Sequence, residues 1–324
     1  VINKVSQTLL CLFIGIVVHI VNCYLFINVY QMGIKGAGIS MVISQSFNCI
    51  STAVLIYRQN RKQVLTPENK IEFIVKVNSE IITGIGSYLV FVLPNTLLLT
   101  AEWMAFEIQG LFALAMNHNI NYSVHLILAN LAHLTNTFSC GFAMATAILV
   151  AEKVGKLMMR DSKLVAVFSF IIAQGFMSVI VIGIILFRNS LFSVFTEDEA
   201  LMEKGRECVI YLSIFSVVDA TQSVMAGTFR GFGKQKIASI IALIQYYFVQ
   251  TFFSWFFGFY LKMEVKGIWL SIVLGGLTTT VIYFVVFLRF DFEGIKKETK
   301  ERLENDTRSI EEVFSEVDLK DNRN

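Results

Sequence analysis

The stretch "LVAVFSFIIAQGFMSVIVIGIILF", Leu164 to Phe187, contains no charged side chain over twenty-four residues. An α-helix rises about 1.5 Å per residue, so this stretch is long enough to cross the hydrocarbon core of a bilayer. Seven further runs are apolar over a comparable length. The eight predicted spans are 7–30, 36–57, 84–114, 124–150, 164–187, 207–228, 237–260 and 267–288.

The composition agrees with a membrane protein. The chain has 324 residues, of which 55% are hydrophobic and 16% are charged, whereas soluble domains carry about 25% charged residues. There are two prolines and no regular strand-and-turn pattern, which disfavours a barrel and leaves helices to satisfy the backbone in lipid. The sequence therefore predicts an all-α polytopic membrane protein with about eight transmembrane helices.

Charge and cysteine usage give no sign of a nucleic acid, a metal or another cofactor. The net charge is only +2, and the five cysteines show no CxxC spacing. Buried, packed thiols are the simpler interpretation of such cysteines. We therefore expect no cofactor, no metal and no nucleic-acid partner, and the lipid bilayer is the first partner that the sequence predicts.

Lysine and arginine set the predicted orientation. With the N-terminus in the cytosol, the loops at 58–80, 151–164 and 229–236 carry twelve of these residues, and the outer loops carry six. Cytoplasmic loops hold the excess of positive charge in membrane proteins. The sequence therefore predicts a multi-pass protein with both termini in the cytosol. In this topology His118 and His125 flank a short outer loop, where we expect them to be solvated.

Three acids lie near the middle of predicted spans: Glu102, Glu107 and Asp219. No lysine or arginine remains within the spans to pair with them. A charged side chain at mid-membrane costs about 2.5–3.5 kcal/mol on insertion scales, so an ionisable group at that depth indicates a functional site. Glu102 and Glu107 are five residues apart, about 140° around a helix, and do not share one face.

An internal repeat connects the two ends of the chain. "MGIKGAGISMVISQ" (Met32 to Gln45) and "MEVKGIWLSIVLGG" (Met263 to Gly276) share Met, Lys, Gly, Ser and Val at an offset of 231. Both copies run in the same direction, which predicts a parallel repeat with a period of six helices. We expect an intact molecule of about twelve helices, with about four before Val1.

Several motifs occur in the order and spacing of the multidrug and toxic compound extrusion (MATE) transporters. "LPNTLLLTAEWMAFEIQGL" resembles the family's seventh helix, and "VVDATQSVMAGTFRGFGKQK" resembles its tenth helix and the following loop. "LIQYYFVQ", "VKGIWLS" and "MGIKGAGIS" resemble parts of its eleventh, twelfth and sixth helices. The resemblance covers nearly all of residues 1–292, and the double-glutamate seventh helix is most similar to the eukaryotic branch.

The resemblance implies a domain plan. Residues 1–58 would be the last two helices of an N-terminal lobe, and 59–80 a cytosolic loop between lobes. Residues 81–292 would be a complete C-terminal lobe of six helices, and 293–324 a cytosolic tail.

The resemblance also implies a function. The family exports organic cations, xenobiotics or metabolites in exchange for H⁺ or Na⁺, in the plasma or vacuolar membrane, and is not enzymatic. Carried over by motif, Glu102, Glu107 and Asp219 would couple protons or cations. Trp103 and Tyr246 would offer aromatic faces to an organic cation, and Asn130 would be a polar substrate contact.

Some departures from the family pattern leave alternatives open. Cys140 stands where the eighth helix usually has proline, and Gln250 and Thr251 replace a Gly-x-Pro in the eleventh helix. A non-transporting receptor or scaffold would explain the loss of helix-bending residues, but it would not explain three unpaired acids in the membrane. A lipid-linked sugar flippase of the same superfamily should carry cationic residues within its spans, and this sequence has none.

Overall fold

A computed structural model describes residues 2–63, 79–116 and 119–304, and within these ranges the chain is almost entirely helical and has no strand. In this part of the chain, ten α-helices before residue 289 are connected by short turns or by π-helical segments. They are α1 (Ile2–Cys23), α2 (Gly33–Gln63), α3 (Ser79–Ala115), α4 (Asn119–Gly155), α5 (Met159–Leu186), α6 (Arg188–Ser193), α7 (Glu199–Gly231), α8 (Gln235–Ile244), α9 (Thr251–Trp255) and α10 (Glu264–Leu288). Residues 292–304 form a further helix. The π-helical segments are Tyr24–Val29, Gln245–Gln250 and Phe256–Tyr260.

Seven helical stretches of the described chain are long and apolar enough to cross a membrane. They coincide with seven of the eight predicted spans, and the eighth, 84–114, lies on α3. Large apolar side chains cover the outer faces of these helices; on α5, for example, Val179 is 69% exposed and Ile172 is 60% exposed. Such a surface is unsuited to water and suited to lipid. The all-α, polytopic membrane fold is therefore confirmed.

Contacts divide the chain into two compact units, Val1–Gly86 and Ser87–Asn324. In the first unit, α1 packs against α2, and a hydrogen bond joins His19 Nδ1 and Ser44 Oγ at 3.1 Å. The predicted boundaries of the two lobes stay predictions, because most of the expected loop at 59–80 lies outside the described residues. The predicted tail, 293–324, is helical as far as residue 304, and residues 305–324 lie outside the described part of the chain.

The internal repeat recurs in the backbone at the same offset of 231. In the first copy the Tyr30 N–H donates to the Leu25 carbonyl and the Met32 N–H to the Phe26 carbonyl. The second copy has the same two bonds, from Leu261 to Phe256 and from Met263 to Phe257. A π-helical turn followed by residues with φ near +54° links the two helices in each copy; these residues are Gln31, Gly33, Lys262 and Glu264.

The second unit is organised around α7, which packs against α4, α5 and α10. Glycines bring α7 close to α4, because a Cβ at Gly227 would overlap the backbone carbonyl of Ala143. Close approach of this kind is a usual feature of helix packing in membranes, where small residues let backbones meet. The apolar core includes fully buried Leu128, Leu212 and Trp269.

Helix α4 begins five residues before the predicted start of its span. His125 therefore lies in its second turn and is only 2% exposed, so the prediction that this histidine is solvated is wrong. Packing against α3 and α10 removes the imidazole from water. His118 lies outside the described residues.

Candidate functional site

Glu102 and Asp219 lie on neighbouring helices of the second unit. Glu102 is on α3 and is half-buried, and Asp219 is in the middle of α7 with 7% of its surface exposed. The two carboxyl groups are close enough to interact electrostatically. Within the described chain α7 packs mainly on α4, α5 and α10 through small and apolar residues, so Asp219 is held on an internal face.

Polar groups of α4 surround the Asp219 carboxylate. Asn136 Nδ2 donates to both carboxylate oxygens, at 3.3 Å to Oδ1 and 3.2 Å to Oδ2. The Ser139 hydroxyl also lies within hydrogen-bonding reach of this carboxylate. Cys140 Sγ donates to Asn136 Oδ1 at 3.4 Å. Because a buried charge is tolerated only when hydrogen bonds compensate its lost hydration, these contacts let Asp219 remain within the bundle.

A pocket lies beside the polar groups that surround the Asp219 carboxylate. Its lining is formed by α3, α4 and α7 and consists of Glu102, Trp103, Phe106, Ala132, His133, Asn136, Cys140 and Phe215. The indole of Trp103 stacks on the imidazole of His133, with ring centroids 4.7 Å apart and planes at 11°. Phe106 meets Phe215 edge to face at 6.1 Å. The pocket therefore has aromatic walls and one carboxylate, that of Glu102. Asn136 lines the pocket and also bonds a second carboxylate, that of Asp219.

Tyr246 approaches Glu102 from another direction. Its hydroxyl lies within hydrogen-bonding reach of the Glu102 carboxylate. Tyr246 is in the π-helical segment Gln245–Gln250. In this wider turn the Thr251 hydroxyl bonds the Tyr246 carbonyl at 2.9 Å. This helix therefore has an irregular backbone although the Gly-x-Pro is replaced, and π-helical turns are frequent at functional sites.

The structure brings together four of the predicted site residues and separates two. Glu102, Trp103, Asp219 and Tyr246 lie at or next to the pocket. Glu107 and Asn130 are both exposed on the described chain and do not line it.

Asn136, His133 and Cys140 were missed by the sequence-based prediction. Asn136 is six residues after Asn130, which is about 240° around the helix. To choose Asn136 over Asn130, one must know how α4 is rotated and shifted against α7.

The arrangement suits the binding of a cation or a proton. Two carboxyl groups share a confined region, and the part of the lining that the structure describes contains no lysine or arginine. Mutual repulsion and lost hydration both disfavour two negative charges at such a place. A proton or a cation that binds there relieves the repulsion. Among the described residues there is no group of three or more His, Cys, Asp or Glu that could hold a metal ion.

Known proteins of one family resemble the chain over most of its length. It is 23% identical to "Multidrug and toxin extrusion protein 2" of Homo sapiens over 89% of the chain and 46% of that protein. It is 25% identical to "Protein DETOXIFICATION 9" of Arabidopsis thaliana over 86% of the chain and 57% of that protein. The chain thus spans about half the length of the curated relatives it matches.

Solved structures show the same fold. A crystal structure of the eukaryotic MATE transporter AtDTX14 superposes with a TM-score of 0.77 at 18% identity, over 89% of this chain and 63% of that one. A MOP superfamily transporter from Pyrococcus furiosus gives a TM-score of 0.71 at 19% identity, over 87% and 61%. The MatE family model matches residues 94–256, about half of the chain. This range contains Glu102, Asp219 and Tyr246, and the chain belongs to the MatE family of transporters.

Proposed function

We propose that the chain belongs to a secondary antiporter that exports organic cations or metabolites in exchange for H⁺. It is a transporter and not an enzyme. The observation that carries the proposal is the pairing of Glu102 and Asp219 around one aromatic pocket, with Asn136 and Tyr246 as their hydrogen-bond partners.

The acids supply the coupling. When both are ionised they repel each other, and a proton taken up by either one relieves this repulsion. An organic cation in the pocket has the same effect, so cation and proton compete for one site. Glu107 is the third acid of the proposed coupling set. It is exposed on the described chain, and we infer that it acts separately from the other two.

The aromatic walls set the class of substrate. The faces of Trp103 and Tyr246 suit a cation with an apolar surface, which gains from cation–π contact in a site with little water. Asn136 lines the pocket, and the exposed Asn130 remains a second proposed polar contact. Na⁺ is the alternative coupling ion. The exchange assay below, with separate proton and sodium gradients, distinguishes the two ions.

We place the protein across a plasma or vacuolar membrane with both termini in the cytosol. This orientation follows the distribution of lysine and arginine between predicted loops. The pocket then lies near mid-membrane, and a gradient that is acidic outside the cytosol would drive export.

The test is exchange by the native full-length protein in proteoliposomes, with tetraethylammonium as the probe. We expect an imposed proton gradient to drive uptake and an equal sodium gradient to have no effect. Asp219→Asn and Glu102→Gln should each abolish gradient-driven exchange with normal insertion. Exchange that survives both substitutions would overturn the proposal.

A matched control is available on α4. Thr137 is exposed, and its hydroxyl bonds only the His133 carbonyl of its own helix, at 2.9 Å. Thr137→Ala should leave exchange unchanged, which separates a loss of coupling from a general effect of substitution in a span. A receptor or scaffold would bind the probe without exchange in all of these proteins.

A further inference from the structure

A second group of polar side chains is buried on the predicted outer side of the pocket. Gln109, Asn121 and Trp269 are 0% exposed, and His125 and Ser213 are 2% exposed. Within the described residues the polar atoms of this group have unmet hydrogen-bonding capacity. The unpaired atoms are both amide atoms of Gln109 and of Asn121, Nδ1 of His125, Oγ of Ser213 and Nε1 of Trp269. We call these five side chains the outer polar cluster.

The five side chains come from four helices: α3, α4, α7 and α10. The imidazole of His125 lies 6.0 Å from the ring of Trp269, centroid to centroid. His125 also lies within hydrogen-bonding reach of the Phe106 backbone on α3. A Cβ at Gly110, the residue after Gln109, would lie 3.6 Å from His125 Cδ2. Asn121 is one turn before His125 on α4, so it lies on the same face of that helix.

So many unpaired buried atoms require a ligand. A buried donor or acceptor without a partner is costly, and native proteins satisfy such groups with protein or with ordered water. The cluster offers both donors and acceptors from neutral side chains, which suits water better than an ion of either sign. We propose that the outer polar cluster holds a group of ordered water molecules and that these waters carry protons from the outer face to Glu102.

The position of the cluster gives this water a function. On its outer side lies a groove lined in part by Ile120 and Lys266, which are close in sequence to Asn121 and Trp269. On its inner side are Phe106 and Phe215, which both line the pocket of Glu102. The Phe215 ring is 6.2 Å from Trp269. The cluster thus lies between the outer surface and the pocket.

The charged groups next to the cluster come from α7 and α10. Lys204 pairs with Glu264, and Lys266 Nζ pairs with Glu207 at 2.8 Å. Arg206 on α7 also has an unpaired, buried Nε. On α3 and α4 the buried face beside the cluster has no charged side chain among the described residues, since Glu107 is exposed.

The proton step is balanced. A hydronium ion at the outer groove gives up its proton to the chain of waters, and the last water protonates the Glu102 carboxylate. Neutral water and a carboxylic acid remain, and the reverse sequence releases the proton. This role rests on the proposed function, whereas the presence of water in the cluster does not.

The first experiment measures the water directly. X-ray hydroxyl-radical footprinting labels buried side chains that touch bound water. We expect Trp269 and His125 of the full-length protein to be labelled although they are almost fully buried. Phe192, which is 0% exposed within the apolar core, is the buried control and should not be labelled. Unlabelled Trp269 and His125 would overturn the proposal whatever the protein transports.

The second experiment tests the role of the water. Gln109→Leu and Asn121→Leu each replace an unpaired amide by an apolar side chain of similar size, so neither should reduce thermal stability. We expect both to lower Trp269 labelling and to slow proton-driven exchange about tenfold, the effect of about 1.4 kcal/mol on a barrier. Binding of tetraethylammonium at fixed pH should not change.

The two results separate the two proposals. If Gln109→Leu and Asn121→Leu lower Trp269 labelling but leave proton-driven exchange at the wild-type rate, the cluster binds water that does not carry protons, and the relay is overturned. Labelled wild-type protein without any proton-driven exchange would refute the proposed function and leave the water site standing. Thr137→Ala is again the control and should change neither measurement.

Discussion

Asn136 on α4 donates hydrogen bonds to both carboxylate oxygens of Asp219 on α7, at 3.3 and 3.2 Å. The contact joins α7, which carries the buried acid, to α4, which supplies half of the residues that line the pocket. Since Cys140 also bonds Asn136, the amide is fixed with its NH₂ group toward the carboxylate. The Asn136 N–H groups thus offset part of the hydration that the Asp219 carboxylate loses by burial, and a neutral partner does not compete with a cation as a lysine would.

Removal of this amide should destabilise the protein. Asn136→Leu leaves the buried carboxylate without two donors, and we expect a loss of about 1–3 kcal/mol in the free energy of unfolding. Thermal unfolding of the detergent-purified protein measures it. In an Asp219→Asn background the same substitution should cost less, because no buried charge is left unpaired. An equal loss of unfolding free energy with Asp219 and with Asp219→Asn would mean that the bond between Asn136 and the charged carboxylate does not stabilise the protein.

The coupling acids should behave as one unit. Glu102→Gln and Asp219→Asn should each stop proton-driven exchange, and the double variant should be no worse than either single one, because residues that act together are not additive. Glu107→Gln is a separate case, since Glu107 is exposed and outside the pocket. Its effect on binding of the organic cation should add to that of Glu102→Gln. A non-additive result for Glu107 would place it with the other two.

Close packing of α4 and α7 should depend on one glycine. Gly227→Ala places a methyl group against the Ala143 backbone, and we expect a loss of about 1–3 kcal/mol, the usual cost of overpacking. Gly175→Ala on α5 is the matched control because no atom lies within 4 Å of the added Cβ. There alanine should be neutral or stabilise the helix by about 0.5–1 kcal/mol. Melting temperatures compare the two variants, and equal stability of both would contradict the packing argument.

The repeat predicts matched effects at two distant glycines. An added Cβ would lie 2.8 Å from the Phe26 carbonyl oxygen at Gly36 and 2.8 Å from the Phe257 carbonyl oxygen at Gly267. Both Gly36→Ala and Gly267→Ala should lower the melting temperature by similar amounts. Gly38→Ala, where nothing lies within 4 Å, should not. A shift at one position alone would argue against equivalent turns in the two copies.

The fold was predictable because its determinants are periodic in the sequence. Apolar runs of membrane length predict the helices. The 231-residue offset between Met32 and Met263 predicts a repeat, and the two copies have equivalent backbone hydrogen bonds. The acids at Glu102 and Asp219 stood out because they are charged in an apolar setting. These features are local, so no knowledge of packing was needed.

The rest of the site depends on how helices face each other. Asn130 and Asn136 look alike in the sequence, and only the register of α4 against α7 shows which amide meets Asp219. The burial of His125 depends in the same way on α3 and α10. The π-helical turn that carries Tyr246 has no sequence signature comparable to proline or glycine.

The helix at 292–304, which lies outside the predicted spans, should stabilise the protein by packing against the ends of α4 and α7. Ile295 is 4% exposed and packs with Val150, Val154 and Phe232 from the ends of α4 and α7. Ile295→Ala should cost about 2–5 kcal/mol of stability if the cavity does not collapse. Limited proteolysis of the tail and thermal unfolding measure the loss. Lys297→Ala is the control, because Lys297 is exposed on the same helix.

An ion pair at this helix gives a pH dependence. Lys234 Nζ donates to Glu298 Oε2 at 2.9 Å, and this hydrogen bond and charge hold the pKa of Glu298 below its usual value. A lowered pKa in the folded state stabilises the protein above the ordinary carboxyl pKa, and the effect is lost as the pH falls through the lowered value. At pH 7 the free energy of unfolding of the wild-type protein should exceed that of Glu298→Gln by less than about 1 kcal/mol, because both side chains of the ion pair are partly exposed. The difference should disappear in acid, and one that persists or grows there would contradict the ion pair.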